Sequence, residues 1–170
     1  MTKKQKGFSL IELLIVVAII LIIAAIAIPN LLRARMAANE SSAVGSVRTI
    51  VTAEVSYSST WGQGYAIAIG NLGGVAPCTA SAATSCFLDP LLSVAPNQKS
   101  GYTVSANGLG GAGTVASPNT AFVAAAVPIT VGTTGQRSFC SDETGVIRFD
   151  GTGGAAPATD VLCQANPSLQ

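Results

Sequence analysis

Residues 7–35 read GFSLIELLIVVAIILIIAAIAIPNLLRAR, and the rest of the chain is arranged around them. From Phe8 to Ile28 there is a single charge, Glu12. A helix over residues 8–28 reaches roughly 31 Å, about the hydrocarbon thickness of a bilayer. The run therefore reads as a membrane-spanning helix. A carboxylate at its fifth position needs its own explanation, because an unpaired charge in lipid costs at least ~2.5–3.5 kcal/mol. Ahead of it, MTKKQK is basic and polar. The positive-inside rule keeps such a segment in the cytoplasm and sends the chain beyond the helix outward. Two plainer readings compete: a secretory signal peptide cut near Ala25-Ile26-Ala27, and a simple anchor. Neither uses Gly7-Phe8 or Glu12.

Gly7, Phe8, Glu12, the apolar run and Pro29 together resemble the N-terminus of type IV pilins and the related type II secretion pseudopilins. The resemblance is strong from Lys6 to Arg35; beyond that only the order of elements matches. It implies a class III leader, residues 1–7, cut between Gly7 and Phe8 by a prepilin peptidase, with N-methylation of Phe8. It implies insertion in the inner membrane with the C-terminus outside. An assembly platform and its ATPase motor then extract the subunit into a helical homo-oligomer, an extracellular pilus serving adhesion, twitching motility or DNA uptake. The second reading, from the same superfamily, is a pseudopilin of a type II secretion system.

Glu12 acquires a role in that setting. Cleavage turns Phe8 into an N-terminal cation, and Glu12 of one subunit pairing with the Phe8 amine of the next neutralises both in an apolar core and fixes the axial step. A local role competes: a carboxylate capping its own first helical turn, where it meets the helix dipole favourably. Pro29 removes one helical hydrogen bond and is expected to kink the helix. Helix-compatible residues continue beyond it, and Val44, Val47, Ile50, Val51, Ala53 and Val55 recur at spacings of three and four. The expected helix runs from Phe8 to about Ser58 within a region 8–60, spanning in its first half and amphipathic in its second. Arg33, Arg35, Glu40, Arg48 and Glu54 are assigned to its wet side.

Residues 61–170 form the expected head, rich in Gly, Ala, Ser and Thr. Residues 61–100 read as a long connecting loop, with a short strand at Tyr65-Ala-Ile-Ala-Ile69. Three or four antiparallel strands follow, at Tyr102–Ala106, Ala121–Val127, Gln136–Cys140 and Gly145–Phe149. The tail from Asp150 reads as irregular. The fold class is thus α+β: a long N-terminal helix packed on a small antiparallel sheet, pilin-like in its order of elements.

Cys78, Cys86, Cys140 and Cys163 are even in number in an exported domain, which points to disulfides. Four cysteines allow three pairings. Proximity in sequence favours Cys78–Cys86 and Cys140–Cys163, and the latter resembles the C-terminal disulfide-bounded region of many pilins. Zinc is disfavoured by the absence of CxxC and of any histidine. Without histidine there is no Ser-His-Asp or Cys-His centre, so the chain reads as no enzyme, with no cofactor. Asp142, Glu143, Asp150 and Asp160 fit no calcium loop and read as turn chemistry. Gly108-Leu-Gly-Gly-Ala-Gly113 lacks the lysine of a phosphate loop. Asn39-Glu40-Ser41 matches a glycosylation pattern but falls within the helix. Removal of residues 1–7 takes away three lysines, leaving six basic against eight acidic side chains. That charge gives DNA as a partner no support.

Overall fold

A computed structural model of the protein describes Ser9–Leu169. Gly7 and Phe8, with the expected cleavage and methylation, lie outside the described residues. Helix α1 runs Leu10–Trp61, with Pro29 inside it. The chain divides into two compact units, Met1–Arg35 and Met36–Gln170. In the first, no described residue is buried.

In the second unit, α1 buries Ala43, Val47, Ile50, Ala53, Glu54 and Tyr57, spaced mostly by three and four. This stripe packs on a five-stranded antiparallel sheet in the order β1(Gln98–Lys99), β2(Tyr102–Leu109), β3(Ala121–Pro128), β4(Ser138–Asp142) and β5(Arg148–Asp150). The core joins the helix stripe to Tyr102, Val104 and Ala106 from β2, Phe122, Ala124 and Ala126 from β3, and Phe139 from β4. These alternate along their strands, so one face of the pleat supplies them all. The opposite face of β3 and β4 has its own cluster, Val123, Ala125 and Cys140, closed by Cys163 from α3(Asp160–Gln164).

Five strands replace the expected three or four. The additional one is β1, two residues long and joined to β2 through Ser100 and Gly101, both at positive φ. Two such residues make a tight hairpin turn whose twist suits the flanking strands. Other bounds moved as well. Strand β4 starts at Ser138 rather than Gln136, and β5 starts at Arg148 rather than Gly145. The connection holds a 3-10 turn at Ile69–Leu72 and a helix α2 at Pro90–Ser93, where the Asp89 side chain accepts from the Leu91 N–H and caps the turn. The tail is not wholly irregular, because Thr159 caps α3 in the same way.

Tyr65 to Ile69 does not form a named strand. Residues 63–69 instead lie as a strap on the outer edge of the sheet. Asn119 N–H donates to the Gln63 carbonyl, Tyr65 N–H to the Asn119 carbonyl, and Gly108 N–H to the Ile67 carbonyl. The far edge is covered too. Phe149 N–H donates to the Pro167 carbonyl and Leu169 N–H to the Ile147 carbonyl, so residues 167–169 lie along β5. Such covers satisfy backbone groups that otherwise invite edge-to-edge pairing.

Candidate functional site: the apolar segment and the buried carboxylates

In the unit ending at Arg35, sixteen large apolar side chains from Leu10 to Leu32 are each 44–75% exposed. A surface this apolar and continuous far exceeds what a soluble monomer carries. The helix is long and apolar enough to cross a membrane. Its interior Pro29 leaves one carbonyl of the preceding turn without the usual N–H partner. Glu12 lies in the first turn, and its Oε2 accepts from the Ser9 N–H at 3.1 Å. That contact is the local cap: a carboxylate among the unsatisfied N–H groups of a helix start.

The charges assigned to the wet side of α1 divide. Arg33, Arg35 and Arg48 are exposed. Glu40 and Glu54 are buried, which corrects their expected placement. Glu40 Oε1 accepts from the backbone N–H groups of Gln136 and Arg137, and its Oε2 from the Arg137 guanidinium at 2.7 and 2.9 Å. Burial pushes its pKa up, but these hydrogen bonds and the charge of Arg137 outweigh that and hold it below the usual carboxylate value. The Arg137 guanidinium also stands 5.5 Å from the Phe139 ring centre and 5.4 Å from that of Phe149. Among the described residues, Glu54 has a single hydrogen-bond partner, the Ala66 N–H, 2.8 Å from Oε2. Val55, expected on the buried stripe, is 52% exposed. Glu54, beside it, faces inward together with Ala53.

Cys78 is joined to Cys86 and Cys140 to Cys163. Asp142 is buried at the end of β4, accepting from the Thr144 N–H and hydroxyl as the acceptor of a tight turn. Asn39 donates to the Thr134 carbonyl at 2.8 Å, so its amide serves packing. Among the described residues, no three His, Cys, Asp or Glu side chains gather as metal ligands. Sequence reading passed over Asn119. It is 3% exposed, and its side-chain amide donates to the Tyr65 carbonyl. A single asparagine after a proline carries no signal of such a role.

Comparison with known proteins bears on the same stretch. The family described as the prokaryotic N-terminal methylation motif matches residues 2–28. Over 39 residues, 23% of this chain, it is 64% identical to the type IV wide pilus major component PilA4 of Thermus thermophilus, of which the match covers 30%. Over 54 residues, 32% of this chain, it is 46% identical to the type IV major pilin protein PilA of Myxococcus xanthus, of which the match covers 24%. The chain thus matches less than a third of the length of either relative. No solved structure matches it. The long apolar helix and the antiparallel sheet nonetheless make an α+β, pilin-like architecture.

Proposed function

We propose that the chain is a structural subunit of a type IV pilus filament, cut between Gly7 and Phe8 by prepilin peptidase and N-methylated at Phe8. The observation that carries this reading is the apolar surface from Leu10 to Leu32, opened by a methylation motif. Burying one such side chain is worth about 1.5–3 kcal/mol, so a surface of this size needs a cover. Lipid supplies it first, with the helix held in the inner membrane and the C-terminus outside. The same helices of other copies supply it next, once the assembly platform and its ATPase motor draw the subunit into the filament. Because lipid and neighbouring helices are about equally apolar, the transfer asks little of the apolar side chains themselves.

Register then falls to Glu12. In the membrane its carboxylate stays with its own helix start, a reading that its contact with the Ser9 N–H supports. In the filament it pairs with the Phe8 amine of a neighbour. A subunit displaced along the axis leaves both charges unpaired in an apolar core, a cost of several kcal/mol. Pro29 supplies a place to bend, since the helix lacks one hydrogen bond there. The two relatives are major pilus components by name, which supports a place in the filament's body.

Mass spectrometry of protein sheared from cells, intact and as N-terminal peptides, tests the reading. The expected product starts at N-methylated Phe8, lies in the sheared filament fraction and carries two disulfides. An intact Met1, or a start near Pro29, overturns it.

A further inference from the structure

Glu54 stands at an unusual place for a carboxyl group. It is fully buried on the inner face of α1. Its Oε2 accepts from the Ala66 N–H at 2.8 Å, and its Oε1 has no hydrogen-bond partner among the described residues. A group with one oxygen satisfied and the other stranded in a core is tolerable as a neutral acid and costly as an anion. Ala66 is the midpoint of the strap at residues 63–69. Around it, Tyr65 N–H donates to the Asn119 carbonyl at 3.2 Å, the Asn119 amide to the Tyr65 carbonyl at 2.9 Å, and Gly108 N–H to the Ile67 carbonyl at 3.1 Å. The strap is laid closely: a Cβ at Gly108 meets the Ala66 carbonyl and the Asn119 side chain. One side chain of α1 thus holds the centre of the segment that covers the edge of β2.

We propose that Glu54 is a pH-responsive latch, which in its acid form pins residues 63–69 over the edge of β2 and on ionisation releases them, uncovering the backbone of Asn107 and Gly108. It is independent of the filament role, since it involves only the second unit. Burial raises the Glu54 carboxyl to about 8, with the Ala66 N–H pulling the other way. The titratable groups its charge reaches are Tyr57 on its own helix and Tyr65 in the strap, with Glu143 beyond Tyr65. No basic side chain among the described residues offsets it. An unfolded carboxyl sheds its proton near 4.5. Between that value and about 8 the folded chain keeps a proton that the unfolded chain has lost, so stability falls as pH rises through the window. Above it the folded chain carries the buried charge itself. Opening the strap, which hydrates that charge without unfolding the sheet, is then the cheapest response.

Amide hydrogen exchange on the full chain in detergent micelles tests this, corrected for the intrinsic pH dependence of exchange. In the parent protein, protection of peptides covering residues 62–72 and 103–110 falls about tenfold from pH 7 to 9, the rise in ionised fraction for a group titrating near 8. Peptides of β3 and β4 keep theirs. Glu54→Gln, neutral and of the same shape, removes the fall. Identical profiles in the parent and E54Q overturn the proposal, as does simultaneous loss of protection across the whole sheet. Should E54Q fail to fold, a carbon-13 titration of the Glu54 carboxyl in the parent protein decides: a midpoint near 8 supports the latch, and one in the ordinary carboxylate range overturns it.

Discussion

Glu40 and Arg137 meet across 97 residues of chain, and the carboxylate has every contact its two oxygens need: two backbone N–H groups on one and two guanidinium nitrogens on the other. The pair ties α1 to the start of β4 at a site where the glutamate is nearly buried and the arginine stays partly open. Satisfied charge-assisted contacts of this kind are the strong ones.

Glu40→Ala is expected to destabilise the head by about 2–3 kcal/mol, because it strands two N–H groups and a partly buried guanidinium. Urea denaturation of the full chain in micelles measures it. The carboxyl's folded pKa lies below its ordinary 4.5, so its contribution is intact above that value. It is lost as pH falls from about 4.5 through the depressed folded value. The parent protein therefore loses stability on acidification in that range, and Glu40→Gln shows a smaller loss.

Gly135→Ala strikes the same corner from below. A Cβ there collides with the Tyr102 hydroxyl, which donates to the Arg137 carbonyl at 2.8 Å. Burial, with the charge of Glu40 added and that of Arg137 opposing, pushes the Tyr102 hydroxyl up to about 12, so it remains a donor through the physiological range. A rigid, buried ring gives way poorly, and overpacking of this sort costs about 1–3 kcal/mol. The Tyr102→Phe, Gly135→Ala double variant recovers part of the loss, read in the same denaturation experiment.

Opening the two disulfides has different consequences. Cys140 and Cys163 are buried and separated by 23 residues, and replacing both by serine is expected to cost about 3 kcal/mol in the chain-entropy model, with a further loss from polar groups in an apolar cluster. Cys78 and Cys86 span only 8 residues within the connecting segment. Their replacement costs less and shows as faster proteolysis of residues 73–88, with the sheet left intact.

Glu12→Ala separates membrane insertion from assembly. The variant is expected to reach normal levels in the membrane fraction, since one charge fewer favours insertion. If Glu12 pairs with the Phe8 amine of a neighbour as proposed, its yield of sheared filaments is expected to drop at least tenfold. Normal filament yield contradicts the pairing role.

The apolar segment was legible because length and composition alone carry it, and the inner stripe of α1 in part, because Val47, Ile50 and Ala53 keep helical spacing. The alternating β2 and the apolar β3 could be read for the same reason. Glu54 could not. A charged residue between two β-branched or small neighbours reads as surface, and its burial depends on a loop amide contributed from outside the helix. Strand β1 is two residues long and exists only through its pairing with β2. The strap was read as a strand from its alternation of tyrosine, alanine and isoleucine. Its hydrogen bonds go to Asn119 and to the turn of β2, partners that no local pattern names.

The cover on β5 also sets an order in time. Residues 167–169, which close that edge, and Cys163, which closes the outer cluster, are synthesised after every strand of the sheet. Until they arrive, β5 has an open flank and Cys140 a free thiol. The segment from Cys163 to Leu169 therefore finishes the head, and the Cys140–Cys163 bond waits on a part of the chain made after the whole sheet. A chain halted short of that step presents an uncovered strand edge and an unpaired sulfur together.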